Sequence, residues 1–274
     1  MSTLADRVRA FRDLHAAGCF VIPNPWDVGS ARVLTGFGFS ALATTSAGCA
    51  WSAGRPDHDI TLDMVLAHLE TIASAVPVPV NADFEGAFAI DPDGVALNVT
   101  KAVATGIAGL SVEDSTGDAV APLFDFDLAV ARIRAARRAI DDSGTGVLLT
   151  ARSEGFVAGR PDLPETLRRL TAYADAGADC LYAPGVRTTD QITAIVSAVA
   201  PKPVNVLVSS DFTTVEQLAS LGVRRVSVGG TLARVALTAL VDAARELAEH
   251  GRFTAFSRVI SVPDTNKLFE IRDS

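Results

Sequence analysis

PVNADFEG, residues 79–86, decides how this 274-residue chain is read. Val78, Val80 and the alternation around them predict a short buried strand that ends in two carboxylates, Asp83 and Glu85, and is closed by Gly86. The same order of apolar run, charge and turn recurs in GLSVED at 109–114 and, with opposite charge, in VLLTAR at 147–152. Strands of this kind lying side by side project Asp83, Glu113 and Arg152 from one end of one sheet, two acids facing a guanidinium. That arrangement suits a divalent cation and an anionic ligand.

Outward from this stretch, strand and helix signals alternate. An amphipathic helix is expected over 4–16, stopped at Gly18, and a first strand over 20–23 turns at Asn24-Pro25-Trp26-Asp27 into a helix carrying Val28, Ala31 and Leu34. A strand over 40–44 leads into a small-residue loop at 45–48 and an irregular loop at 51–59, before a helix striped by Leu62, Val65, Leu66, Leu69 and Ile72. After the 79–86 strand come a helix at 94–105 and a fourth strand at 108–112. The next helix should start at Asp125 and Asp127 and place Arg132, Arg134, Arg137 and Arg138 toward its far end, as the helix dipole favours. Strands at 147–151, 179–182, 203–208 and 225–228 follow, each with its helix, the last running to about 249. Eight such alternations with apolar strands predict one α/β domain over 1–274: a (β/α)8 TIM barrel at 19–249, an extra N-terminal helix within 1–18, and a C-terminal extension at 253–274. That extension contains Pro263 and an amphipathic piece with Leu268 and Ile271, suited to packing on a neighbouring subunit.

Composition narrows the partners. Lys and Arg number 24 and Asp and Glu 32, so the formal net charge is 24 minus 32, or −8, without blocks of like charge. Nucleic acid and anionic membrane are disfavoured as main partners. The first 18 residues mix charged and apolar side chains with no run long enough for a signal peptide, and a cytoplasmic location is expected. Cys19, Cys49 and Cys180 sit in apolar surroundings and read as buried free thiols. His15, His68 and His250 fall on expected helices and read as surface residues. His58, beside Asp57, is the histidine within reach of a site.

In such a barrel the loops after the strands form the functional face. The strand ends supply Asn24, Trp26, Thr45, Ser46, Asp83, Glu85, Glu113, Asp114, Arg152, Glu154, Pro184, Ser209 and Gly229. Each has a plainer reading beside the functional one. Asp125 and Asp162 are read as helix caps. Ser46-Ala47-Gly48 is either an ordinary turn or a place where backbone N–H groups meet a carboxylate. Gly229-Gly230-Thr231 is either a tight turn or a phosphate cradle. Arg152 either neutralises the acids or grips a ligand with its planar fork, a job lysine cannot do.

NPWDVGSA (24–31), TTSAGCA (44–50), GRPD (54–57), NADFEG (81–86), VED (112–114) and ARSEGFVAGR (151–160), in register to about residue 230, resemble the isocitrate lyase and phosphoenolpyruvate mutase superfamily. The resemblance implies a barrel dependent on Mg²⁺ or Mn²⁺ that makes or breaks C–C or P–C bonds beside a 2-oxo acid carboxylate through an enolate. It implies metal ligation by Asp83, Glu113, Asp57 and Asn81, directly or through water, and catalytic roles for Arg152, Glu113 and Asp83. Substrate contacts are expected from Trp26, Ser46, Ala47, Gly48, Arg152, Glu154 and Asn205, and a homodimer or homotetramer that exchanges C-terminal helices.

Three departures shape the functional expectation. The Asp-x-Asp of the superfamily reads Asn81-Ala82-Asp83; the loop after Glu113-Asp114 runs through Ser115-Thr116-Gly117-Asp118 to Pro122 with no cysteine or lysine; and Ala183-Pro184 stands where mutases carry histidine. A lyase or decarboxylase acting on a small, oxaloacetate-like 2-oxo acid needs least beyond what remains. Methylisocitrate- or isocitrate-type cleavage, phosphonate P–C chemistry, and a barrel that binds 2-oxo acids without turnover are the alternatives.

Overall fold

A computed structural model of the chain describes residues 2–270, so Ile271 of the expected tail lies outside the described residues. The elements in order are α1 (Leu4–Ala16), β1 (Phe20–Ile22), α2 (Val28–Gly36), β2 (Leu42–Ala43), α3 (Ser46–Ser52), α4 (Leu62–Ala75), β3 (Val80–Asp83), α5 (Pro92–Ala104), β4 (Gly109–Glu113) and α6 (Phe126–Ser143). Then come β5 (Leu148–Arg152), α7 (Leu163–Asp175), β6 (Cys180–Tyr182), α8 (Thr189–Val199), β7 (Val204–Leu207), α9 (Val215–Ser220), β8 (Arg225–Ser227), α10 (Thr231–His250), a 3₁₀ turn (Thr254–Arg258) and α11 (Val262–Lys267). The strands form one eight-stranded parallel sheet in the order β1-β8-β7-β6-β5-β4-β3-β2. Ala43 N–H donates to the Pro23 carbonyl at 3.1 Å and brings the two ends of the sheet together, so the barrel is nearly closed. This is the (β/α)8 architecture expected from the alternation of strand and helix.

Outward-facing strand residues such as Leu110, Val112, Leu149 and Ala151 are fully buried against the helices. The inward face is polar: Asn81, Ser111, Glu113, Thr150, Asn205, Arg225 and Ser227 are all buried. The N-terminal helix plugs the bottom of this polar barrel. Phe11, His15 and Phe20 stack edge to face, with centroids 4.6 and 5.1 Å apart around His15. Gly109 is glycine because a Cβ there would lie 2.6 Å from Phe11 Cε1 and 2.8 Å from Asn81 Oδ1. His15 is therefore a plug residue, not the surface residue its helical position suggested. His68 is half-buried as well, with Nε2 enclosed and without a partner.

Three other local expectations change. Residues 46–52 are helical, because Thr45 accepts the Gly48 N–H and caps a turn that small residues leave uncrowded. Asp125 precedes α6 without a side-chain cap bond, whereas Asp162 does cap α7 by accepting from Glu165 N–H at 3.0 Å. The arginines of α6 do not serve its dipole, since none lies in its last turn. Arg132 is buried instead, stacked on Phe124 at 4.0 Å, and donates to the Gly86, Ala89 and Ile90 carbonyls. It clamps a loop in which Glu85, Ala87 and Phe88 all have positive φ, a conformation unfavourable for L-residues. Among the described residues no helix is long and apolar enough to cross a membrane.

His15 gives the plug a measurable pH signature. Its Nδ1 lies 2.7 Å from the Phe11 carbonyl, so Nδ1 carries the proton, leaving Nε2 as acceptor 3.4 Å from Arg225 Nη1. Burial first, and then the Arg225 charge, push its pKa down to about 3. The unfolded chain takes up this proton near its ordinary value of 6.5 while the folded chain refuses it, so stability is lost as pH falls from 6.5 toward 3. The slope from this one group is at most about 1.4 kcal/mol per pH unit. Urea unfolding across that window should fall less steeply in His15→Gln than in the native protein; parallel curves would show that His15 charges freely in the fold.

Candidate active site

The ends of β3, β4 and β5 meet at Arg152. Its Nη1 donates to Asp83 Oδ1 at 2.6 Å, Nη2 lies 2.8 Å from Glu113 Oε2, and Nε donates to Glu154 Oε1 at 2.8 Å. Every nitrogen of the fork therefore has its own carboxylate, in a site where the four side chains are between 6 and 19% exposed. Three carboxylates against one guanidinium leave a formal excess of two negative charges. Burial pushes the Glu113 carboxyl above the usual range, with Arg152 opposing, and Glu154 shifts the same way for the same reason. Burial also opposes the charge on Arg152, but Glu113, Glu154 and Asp83 hold it firmly protonated.

Neighbouring elements fix this cluster from outside. Asp83 Oδ2 accepts the Ser46 N–H at 2.9 Å and the Asp83 N–H donates to Thr44 Oγ1 at 2.9 Å, which docks the start of α3 on the end of β3. Strand alternation sends Asp114 the opposite way from Glu113. It accepts from Glu154 N–H at 2.8 Å, Arg169 Nη1 at 3.1 Å and Tyr173 Oη at 2.7 Å, all within the packing between barrel and α7. Register then sets a row of inward side chains around the wall: Glu113 beside Arg152, Arg152 beside Tyr182, Tyr182 beside Asn205, and Asn205 beside Arg225.

These groups line a cavity of about 580 Å³ at the C-terminal face. Asp83, Glu113, Arg152, Glu154, Asn81 and Asn205 line its wall, and Ser46 and Ala47 its edge toward α3. Asp57 and His58 stand at the rim, with side chains 41 and 70% exposed. Trp26 and Gly48 are not among the lining residues. They pack on each other, and a Cβ on Gly48 would fall 2.7 Å from Trp26 Cβ. Glu85 is also off the wall; burial and then the Asp83 charge raise its pKa to about 7, and its Oε1 has no partner. The Val228 and Gly229 N–H groups both donate to Asn24 Oδ1 at 2.9 Å, so the start of the 229–231 turn is satisfied internally and not open to a phosphate.

Reading strand ends did not single out Tyr182, Ser227 or Arg225, and the 115–122 loop was marked only for lacking cysteine and lysine. Tyr182 closes its strand as Arg152 closes the one before, and that parallel was the available signal. Arg225 opens its strand, a position associated with the barrel floor, and nothing in sequence indicates that its side chain reaches the cavity. The loop forms a hairpin through the Ser115–Leu123 bridge and places Gly117 and Asp118 over the cavity.

The set of donors is hard oxygen. Among the described residues no group of three or more His, Cys, Asp and Glu side chains gathers closely enough to hold a metal. Asp83 and Glu113 nevertheless face one cavity with Asn81, whose buried Oδ1 has no partner among the described residues. An excess of buried negative charge beside an orphaned carbonyl oxygen fits a hard divalent cation completed by water and ligand oxygens.

Because the three carboxylates depend on three separate nitrogens, Arg152→Lys should lower the unfolding free energy by about 1.5–3 kcal/mol for each charge-assisted bond that an ammonium cannot replace. Urea denaturation at neutral pH reads this directly, and an unchanged midpoint would show the fork to be redundant.

The sequence matches the phosphoenolpyruvate phosphomutase family over residues 11–248. It is 30% identical over 249 residues to the oxaloacetate decarboxylase of Pseudomonas entomophila, covering 86% of this chain and 83% of that one. A Burkholderia cenocepacia J2315 protein described as a lyase/mutase shares 46% identity and superposes with a TM-score of 0.94 over 97% of both chains. The structure of 2,3-dimethylmalate lyase, a PEP mutase/isocitrate lyase superfamily member, superposes with a TM-score of 0.85 at 26% identity, covering 98% of this chain and 95% of that one. The chain thus belongs to the phosphoenolpyruvate phosphomutase family, within the superfamily of carbon–carbon lyases and mutases that includes isocitrate lyase.

Proposed function

We propose that this enzyme is a divalent-cation-dependent carbon–carbon lyase that decarboxylates a small, oxaloacetate-like 2-oxo acid. The observation that carries the reading is the charge imbalance at Arg152: three buried carboxylates, one guanidinium and the orphaned Asn81 Oδ1 beside them. Asp83, Glu113 and Asn81 would hold Mg²⁺ or Mn²⁺, with Asp57 acting through water from the rim. When bound, the cation supplies Lewis-acid stabilisation of the negative charge that develops on an enolate oxygen.

The remaining chemistry belongs to the chain. Ser46 and Ala47 at the start of α3 lie where a carboxylate would gain from the positive end of a helix, and Arg152 offers a cation on the facing wall. The 115–122 hairpin carries no thiol or amine. Cleavage that expels an enolate or alkoxide needs an acid close to the leaving group, whereas carbon dioxide leaves without accepting a proton. The hairpin therefore suits decarboxylation better than isocitrate-type cleavage. The likeness to 2,3-dimethylmalate lyase keeps cleavage of a small 2-oxo acid adduct as the second reading. Calorimetry on metal-stripped protein should show Mg²⁺ or Mn²⁺ binding that is lost in Asp83→Ala, and the loaded protein should convert oxaloacetate to pyruvate. Absence of pyruvate above the metal-only rate would remove the decarboxylase reading.

We also infer that the native enzyme is a homodimer or homotetramer. Val235, Leu240 and Val241 of α10, with Phe253, Val259, Ile260 and Val262 beyond it, are between 48 and 74% exposed, more apolar surface than an isolated subunit tolerates, and α10 buries only Ala233. A hollow of about 300 Å³ between Trp51 and Leu237 lies along the same face. Light scattering should report a dimer or larger, and truncation after Thr254 should shift it toward monomer or aggregate. A native monomer at micromolar concentration would overturn this.

A further inference from the structure

Decarboxylation through an enolate leaves a carbon that must be protonated before a 2-oxo acid can leave, and the groups first expected to do this are absent or engaged. The hairpin has no cysteine or lysine. Asp83, Glu113 and Glu154 are each committed to Arg152, and the His58 side chain stands on the rim, 70% exposed. Asp118, on the hairpin over the cavity, accepts the Val120 N–H at 2.7 Å and the Ala121 N–H at 3.3 Å, which holds its carboxylate in the hairpin turn. Tyr182 is a further acid on the wall. Resting on the enolate reading above, we propose that Tyr182 delivers the proton to the enolate carbon, with Arg225 as a positioning residue behind it.

Tyr182 is the last residue of β6, lines the cavity, and lies in register between Arg152 and Asn205. A hydrogen-bonded chain runs beside it from the closed end of the barrel through its register partner Asn205. Arg225 is 3% exposed and takes part in no ion pair among the described residues. It donates from Nε to Asn205 Oδ1 at 2.8 Å and from Nη2 to Thr150 Oγ1 at 3.1 Å. A guanidinium only donates, so the Asn205 amide has its oxygen toward Arg225 and its nitrogen toward Ser227, where Nδ2 donates to Oγ at 2.9 Å. Ser227 and Tyr182 line the same cavity, and a hydrogen bond from the Ser227 hydroxyl would favour the ionised phenol.

The transfer balances. The Tyr182 O–H bond breaks, a C–H bond forms at the enolate carbon from its own electron pair, and the phenolate keeps the O–H pair. The Arg152 guanidinium, 5.4 Å from the ring centroid, stabilises that phenolate until water from the open cavity reprotonates it. Burial pushes the phenol up to about 12 despite Arg152, so the resting group carries the proton it has to give.

The test is proton exchange separated from binding and from C–C cleavage. The full-length enzyme with Mg²⁺ and pyruvate in D₂O should exchange the pyruvate methyl protons, followed by proton NMR. In Tyr182→Phe that exchange should fall by about a hundredfold or more, the usual worth of a positioned proton-transfer group. Oxalate affinity and melting temperature should stay within a few-fold and a few degrees of native, showing that the fold and the anion site persist. Steady turnover of oxaloacetate should slow with the exchange, because the enolate must be protonated before product leaves, while the first turnover, whose C–C cleavage needs no proton, should still release carbon dioxide. Exchange at the native rate in Tyr182→Phe would overturn the proposal while leaving the decarboxylase reading intact. A native enzyme that neither exchanges pyruvate protons nor decarboxylates oxaloacetate would instead overturn the reading on which it rests.

Discussion

Arg152 is bound by three carboxylates because three consecutive strands of a parallel barrel present Asp83, Glu113 and Arg152 at one end, and Glu154 follows two residues beyond β5. The backbone enforces this meeting: β3, β4 and β5 are hydrogen-bonded neighbours, and Glu113 and Arg152 are direct register partners. Such a cluster is costly to bury, since desolvation of four charges is only partly offset by one cation. A purely structural core would gain from apolar residues of similar volume. The excess negative charge makes sense where a second cation and an anionic ligand arrive together, each relieving what the other adds.

The closed end of the barrel follows the same logic with opposite sign. Among the described residues Arg225 has no carboxylate in contact, and it is held by Asn205, Thr150 and the neutral His15. A buried guanidinium of this kind is tolerated when its donors are satisfied and when its charge is useful nearby. The N-terminal helix makes the arrangement possible, since Phe11 closes the floor against Gly109 and His15 supplies an acceptor that water would otherwise provide. The plug is thus part of the support for the cavity wall, and a helix outside the barrel repeat reaches the site through two side chains.

Family membership and site geometry constrain function from different directions. Relatives span decarboxylation, lyase cleavage and phosphoryl mutation on one barrel, so the fold alone does not choose among them. What chooses is the equipment above the common acid cluster. Here that equipment is a hairpin without thiol or amine and a sixth strand that closes on Tyr182, the two features on which the proposed decarboxylation rests.

The barrel was legible in the chain because its signals are local. Apolar runs, turn glycines and amphipathic stripes each declare an element within about a dozen residues, and eight alternations admit few topologies. The meeting of Asp83, Glu113 and Arg152 was legible for a related reason: each is the last charge on its strand, and parallel strands align their ends. What sequence could not supply was the direction and company of individual side chains. Asp114 follows Glu113 yet faces the opposite layer, Trp26 packs on Gly48 instead of the cavity, and Arg132 leaves its helix face to hold a loop some 40 residues earlier in sequence. His15 became a buried acceptor only because β8 brings Arg225 beside it from 210 residues away. Pattern and periodicity specify which face of an element is apolar; which distant atom satisfies a buried polar group depends on where the closed barrel brings two parts of the chain into contact, and that is decided by tertiary structure alone.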